Sequence, residues 1–204
     1  MLFDDSYKTI ASKSEGLYKE KGSKFISFAM PVSSETEIKE FLDQTRKQFH
    51  DARHVCYAYI LGFDKSTYRM NDDGEPSGTA GRPIYGQLQS FDLTNTIVAV
   101  VRYFGGTKLG VSGLINAYKL VTLDALAKAE ILTKRVTEIY EIVYDYALMN
   151  DVMKIMKDEN LNQLSTSFGL ECKISFPVAK NDSTRVYEKL LKVDTLKIKH
   201  IQTI

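Results

Sequence analysis

The stretch from Thr96 to Ala129 constrains the fold more than any other. An apolar run, TIVAVVRYF, passes into a glycine-rich turn, GGTKLGVSG, and then into an amphipathic segment. Ile97, Val98, Val100, Val101, Tyr103 and Phe104 are β-branched or aromatic, and the run is too continuous for a strand with one wet face. It predicts a central strand. Beyond it, Gly105, Gly106, Gly110 and Gly113 let the backbone take positive φ values and come close to a ligand or to another chain segment. Leu114, Ala117, Tyr118, Val121, Ala125 and Ala129 recur near one face, which predicts a helix of roughly five turns packed on the sheet. Its amino end points back toward the glycines, and free N–H groups with partial positive charge suit an anion there. The glycine spacing matches neither G-x-G-x-x-G nor G-x-x-x-x-G-K-[ST], because Val111 and Ser112 follow Gly110 where a phosphate loop needs lysine and a hydroxyl residue. A tight strand-to-helix turn packed on the sheet would account for the same glycines on steric grounds alone.

The chain before this stretch reads as a hairpin, a helix and a second buried strand. LYKE and FISFAMPV, joined by KGS, predict a hairpin from about Ser14 to Val32, with Lys19, Lys21 and Lys24 crowding a solvated tip. Ser33 or Ser34 then caps a helix, with Glu37 as its capping-box partner and Ile38, Phe41, Leu42, Thr45 and Phe49 as its apolar face. The helix ends near His50, and HVCYAYILG forms the next strand. His50 and His54 are spaced for one helix face, but the Asp51–Arg53 segment between them breaks the helix. With His200 as the only other histidine and no cysteine cluster, neither a metal site nor another cofactor is expected.

A second chemically loaded stretch, NDDGEPSGTAGRP, spans Asn71 to Pro83. Asp72, Asp73 and Glu75 lie among Gly74, Pro76, Gly78, Gly81 and Pro83, a loop composition. Thr79 could start a short helix carrying Ile84, Tyr85, Leu88 and Phe91, in which case the acids sit at a helix amino end and help as caps. The functional alternative is a long polar loop, bearing the carboxylates with Ser77, Thr79 and Arg82, that faces the glycine turn.

After the long helix the pattern resets at KAEILTKRVT, so a domain boundary is expected there, giving domains of residues 1–133 and 134–204. Val136 to Tyr146 reads as a strand, Leu148 to Asp158 as a helix, and Leu161 to Phe168 and Leu170 to Val178 as strands. A helix capped by Asp182 or Ser183 and a last strand from Leu196 to Ile201 complete a ferredoxin-like βαββαβ order. This domain carries no cluster of glycines, histidines or acids. Tyr140, Tyr144 and Phe176 could face a base or fill a core.

Composition narrows the function classes. Hydrophobic content of 44% with 26% charged residues is ordinary for a globular protein, and the net charge is only +1. Of the 27 basic and 26 acidic residues, 16 of each precede Lys134, so no global basic footprint exists and nucleic-acid binding would need a local patch. Cys56 and Cys172 sit in apolar strands in different halves of the chain, which predicts buried thiols and a reducing compartment rather than a disulfide. MLFDDSYKT lacks a basic segment followed by an apolar core, and no run approaches the roughly 18 apolar residues of a membrane span. A cytoplasmic protein that makes no membrane contact is expected.

Taken together, NDDGEPSGTAGRPIYGQL (Asn71 to Leu88) and VAVVRYFGGTKLGVSGLINAY (Val98 to Tyr118) resemble the signature of the YigZ/Impact family. KGSKFIS (Lys21 to Ser27) and DARHVCYAY (Asp51 to Tyr59) match it as well, and the resemblance covers essentially the whole chain. It implies an α+β protein of two domains. The first would be an α/β sandwich resembling the second domain of a small-subunit ribosomal protein, and the second a ferredoxin-like domain resembling the last domain of elongation factor G. Eukaryotic relatives of the first domain regulate translation by competing for the activator of a starvation-responsive kinase. Residue by residue, the resemblance points to Asp72, Asp73, Gly74, Glu75, Pro76, Gly78, Thr79, Gly81 and Arg82 in one loop. In the other it points to Arg102, Tyr103, Gly105, Gly106, Lys108, Leu109 and Gly110.

The residues and the resemblance lead to a non-enzymatic factor that modulates translation by binding RNA, the ribosome or a translation-regulatory protein. Arg82, Arg102 and Lys108 would contact phosphates. The alternative is an enzyme or small-ligand binder in which Asp72, Asp73 or Glu75 holds Mg²⁺ while Lys108 and the helix amino end take a phosphate. A protein-interaction module using the long loop as an epitope is a third reading. Oligomeric state is left open by the sequence.

Overall fold

The structure is a computed structural model that describes residues 5–204. Residues 1–4, the start of the segment on which the expected absence of a leader rests, lie outside it. The described chain divides into two compact units, one formed by residues 7–134 and the other by residues 135–204 together with residues 5 and 6. The α+β class expected from the sequence is the class observed.

In the first unit a five-stranded sheet is built from β2 (Ser14–Glu20), β3 (Ser23–Pro31), β4 (His54–Leu61), β5 (Thr67–Asn71) and β6 (Thr96–Tyr103), in the order β2-β3-β6-β4-β5 and antiparallel throughout. The apolar run after Thr96 is the middle strand because both of its faces are covered. Val98 and Val100 join one core with Ile84 and Leu88 of α2 (Gly81–Ser90) and Leu114, Ala117, Tyr118 and Val121 of α3 (Gly110–Lys128). Ile97, Ala99 and Val101 point the other way, onto Ile38 and Phe41 of α1 (Glu35–Gln48). An alternating strand pattern could fill only one of these cores. Ser27 Oγ donates to the Val121 carbonyl at 2.6 Å, tying β3 to α3 across the first core.

Caps fix where the helices begin. Ser34 Oγ accepts from the Glu37 N–H at 3.3 Å, as the expected capping box requires, but the Glu37 carboxylate reaches back to Ser33, accepting from its N–H at 2.7 Å and its hydroxyl at 2.9 Å. Helix α1 stops at Gln48 with Phe49 as its C-cap, so His50 and His54 never share a helix face.

Three strands escaped the sequence reading: β1 (Ser6–Ile10), β5, and β7 (Ile131–Arg135), which pairs with β1 in a two-stranded ribbon. The residues of β5 and β7 are mostly exposed, so no apolar periodicity betrays them.

The second unit holds β8 (Thr137–Tyr144), a short 3₁₀ turn at Tyr146–Leu148, α4 (Met149–Asp158), β9 (Ser165–Phe168), β10 (Cys172–Ala179), α5 (Lys180–Leu190) and β11 (Lys197–Thr203). Its sheet runs β11-β8-β10-β9, antiparallel, which is the strand order of the split βαββαβ arrangement. Tyr140, Tyr144 and Phe176 are buried with Ile142, Ile174, Val186 and Leu190, so they are core and not a platform for bases. Helix α5 departs from expectation: β10 runs straight into it at Lys180, Asp182 lies in the first turn, and Ser183 Oγ donates back to the Lys180 carbonyl at 2.9 Å. Both cysteines are buried free thiols. Among the described residues, no helix is long and apolar enough to cross a membrane.

Candidate binding cleft of the first unit

Strands β4 and β6 place the two loaded loops side by side. In their antiparallel register His54 lies opposite Arg102, so the start of β4 and the end of β6 share one edge of the sheet. The acidic loop returns to that edge after β5, and the glycine turn leaves it for α3. Between them opens a cleft of about 440 Å³, bordered by Arg53, His54, Glu75, Arg102, Lys108 and the first residues of α3.

The floor of the cleft is a buried polar network. Glu75 is 8% exposed and Arg102 6%, and Arg102 Nη1 donates to Glu75 Oε1. Tyr118, fully buried on α3, donates its hydroxyl to the same oxygen at 2.9 Å. Cys56 Sγ lies 3.2 Å from Tyr118 Oη and 3.1 Å from the Asp72 carbonyl. Burial, more than the neighbouring carboxylate, pushes the Tyr118 hydroxyl and the Cys56 thiol far above their ordinary pKa values, so neither is a ready nucleophile or base. His54 Nδ1 sits 2.7 Å from the Asp73 carbonyl, which can only accept, so that nitrogen is the donor. Its other nitrogen lies 4.0 Å from Glu75 Oε1, at the cleft. Arg102 Nε is buried without a hydrogen-bond partner among the described residues.

The remaining acids of the loop do other work. Asp72 turns inward and accepts from the N–H groups of Gly78 (2.8 Å), Ala80 (3.0 Å) and Gly81 (2.8 Å), so its carboxylate caps α2. Asp73, held at φ +43°, accepts from Arg46 Nη2 at 2.8 Å and the Val55 N–H at 2.6 Å. Partial burial raises the Asp73 pKa, but the bonds from Arg46 and Val55 outweigh it and hold the carboxyl below the usual range. Thr79 donates to the Pro76 carbonyl at 2.6 Å, and α2 starts at Gly81 rather than at Thr79.

The expected site residues therefore separate. Gly74, Glu75, Pro76, Arg102, Lys108, Leu109 and Gly110 line the one cleft. Asp72, Gly78 and Arg82 border a neighbouring hollow with Ser77 and Tyr85, so Arg82 and Lys108 do not converge. Tyr103 donates to Asp51 Oδ1 at 2.8 Å. Gly105 abuts the hairpin turn: a Cβ there would stand 1.9 Å from the Gly22 carbonyl carbon, so this glycine serves the packing of two turns. Gly106 has φ +87° and open space around it. The arrangement envisaged for Mg²⁺ is not met, because the Asp72 and Asp73 oxygens accept from N–H groups and Arg46, and Glu75 Oε1 from Arg102 and Tyr118. Among the described residues no group of histidine, cysteine, aspartate and glutamate is placed to hold a metal ion.

The residue reading missed Arg53, Phe104 and the coupling of Tyr118 to Glu75. Arg53 was legible in principle, since it precedes a strand whose start must lie beside the end of β6 in an antiparallel pair. Helix α3 completes the cleft with an unblocked amino end: no side chain caps it, and its first turn holds no acid.

The sequence profile of the Impact N-terminal domain matches residues 21–126, a span that contains every residue of the cleft. Among relatives, the IMPACT family member YvyE of Bacillus subtilis is 35% identical over 153 residues, covering 75% of this chain and 70% of that protein. The IMPACT family member YigZ of Escherichia coli is 37% identical over 123 residues, or 59% of each chain. A crystal structure described as that of a hypothetical protein superimposes with a TM-score of 0.75 at 25% identity, covering 97% of this chain and 98% of that one. With the profile matched across the cleft and its flanking strands, and the relatives matched at this length, the chain belongs to the IMPACT family.

Proposed function

We propose that this protein is a translation-associated regulatory factor that binds RNA, free or on the ribosome, through the cleft of its first unit. One observation carries the proposal: Arg53, Lys108 and the uncapped amino end of α3 border a single open cleft. Neither Arg53 nor Lys108 has an ion-pair partner among the described residues, whereas Arg46, Lys65 and Lys128 are each held by a carboxylate. Exposed cations without partners attract phosphates, and the helix amino end that borders the same cleft adds N–H donors. Membership of the IMPACT family, whose eukaryotic relatives act on translation, supports the biological setting.

The test is co-sedimentation with ribosomes and with total RNA across a salt series. Wild-type protein is expected to bind at low salt and to release as salt rises. An Arg53→Ala, Lys108→Ala double variant should lose that binding, while Arg82→Ala, altered in the neighbouring hollow, should keep it. Absence of wild-type binding at low salt, or equal binding by the double variant, would reject the proposal.

A further inference from the structure

The same cleft is also of a size to hold a small ligand. Its volume of about 440 Å³ lies within the roughly 300–1,000 Å³ of small-molecule sites. Its lining combines charged and apolar groups. Its polar lining includes Arg53, Lys108 and the first N–H groups of α3, at Gly110 and Val111, which have no carbonyl one turn earlier in the helix to pair with. At the floor lies Arg102, whose side chain is 7% exposed and whose Nε is buried without a partner. A buried N–H left unpaired is costly, and a bound acceptor is one way to satisfy it. Phe104 is 45% and Val111 60% exposed, and with Leu109, Leu114 and Pro76 they supply the apolar part of the lining. The Arg102 guanidinium carbon is 5.7 Å from the Phe104 ring centroid, so ring and cation are adjacent.

We propose that this cleft is a nucleotide site that takes a phosphate monoester against α3, Lys108 and Arg102 and lays the attached base on Phe104. The inference rests on the reading of this cleft as the RNA-binding surface and adds what it recognises. A terminal monoester carries about −1.5 to −2 charges at neutral pH, whereas an internal diester carries one. Two cations without ion-pair partners among the described residues, Arg53 and Lys108, together with a helix amino end on one cleft whose Glu75 is already paired with Arg102, favour the more highly charged group. An aromatic ring beside them gives the base a stacking platform indifferent to its identity. The shared chemistry has two sources, a free nucleoside monophosphate and the 5′-phosphorylated end of an RNA strand.

The experiment titrates the full chain with AMP, GMP, CMP and UMP, with adenosine as control. In parallel it compares one short single-stranded RNA carrying a 5′-phosphate with its 5′-hydroxyl twin. At least one phosphorylated probe is expected to bind and to raise the melting temperature. Loss of the phosphate should weaken binding by roughly tenfold or more, the worth of a charge-assisted contact. Binding of monophosphates alone identifies the free nucleotide as the source, and preference for 5′-phosphorylated RNA alone identifies the strand end. Lys108→Ala should abolish the preference for the phosphate. Ser112→Asp places a carboxylate in the first turn of α3, where it keeps or raises the melting temperature while repelling the phosphate, so loss of binding in a folded protein isolates the site. The inference falls if monophosphates fail to bind and the two RNAs bind alike, even where RNA binding is salt-sensitive and Lys108-dependent. It falls too if a phosphopeptide binds and no nucleotide does. Monophosphate binding without any ribosome or RNA association would retain the nucleotide site and reject the translation reading.

Discussion

Glu75 stands where the acidic loop meets the central strand, and one of its oxygens serves both Arg102 and Tyr118. A buried ion pair adds little net stability, but removing one partner strands the other charge. Glu75→Ala should therefore cost about 3–5 kcal/mol in urea unfolding, and Tyr118→Phe about 1 kcal/mol. Adding Arg102→Met to Glu75→Ala should restore much of the loss, because an apolar side chain then fills the space without a charge. A loss well under about 1 kcal/mol for Glu75→Ala would mean that Arg102 finds water instead and that the floor of the cleft is wet. The distinct roles of Asp72, Asp73 and Glu75 were not legible from their spacing. Asp73 and Gly74 both take positive φ, at +43° and +85°, and these reversals aim three nearby carboxylates at a helix end, at Arg46 and at the cleft. A string of residue types carries acidity but not direction.

At the scale of elements, the glycine turn has two separable duties. Gly105 lies against the backbone of Gly22 and Ser23, where no side chain fits, whereas Gly106 has open space and only a positive φ to maintain. Gly105→Ala should force the hairpin turn and the β6–α3 turn apart and cost more than about 3 kcal/mol, with weaker ligand binding as the cleft loses its edge. Gly106→Ala should cost about 1 kcal/mol, the penalty of a left-handed conformation for alanine. Equal losses, measured by thermal and urea unfolding, would remove the close approach as the explanation for Gly105. Elements buried on one or both faces were legible: β6, β4, α1 and α3 follow directly from their apolar spacing. Those held mainly by backbone pairing were not, as the exposed β5 and β7 show. The start of α5 was misplaced because Asp and Ser usually mark a cap, yet here they lie within the first turn. The apposition of the two loops follows from strand order, which the sequence pattern did not supply.

For the molecule as a whole, a net charge of +1 with both signs spread along the chain leaves no long-range field to draw in a polyanion. Affinity for RNA must then come from the few cations at the cleft, and that number is readable in solution. Each phosphate contact to a single strand contributes about −0.7 to the slope of log K against log salt, so two or three contacts predict a slope of roughly −1.4 to −2.1. Lys108→Ala should reduce its magnitude by about 0.7, one contact's share, while Arg82→Ala should leave it unchanged. Lys19, Lys21 and Lys24 at the β2–β3 hairpin supply the contrasting case, a cluster of like charges on a solvated turn. If RNA engaged a broad basic face that included the hairpin, the slope would be several-fold steeper, and replacing these lysines with alanine would flatten it more than Lys108→Ala does. A shallow slope sensitive to Lys108 and indifferent to the hairpin would instead show that the cleft carries the electrostatics of binding, as its unpaired cations and open helix end require.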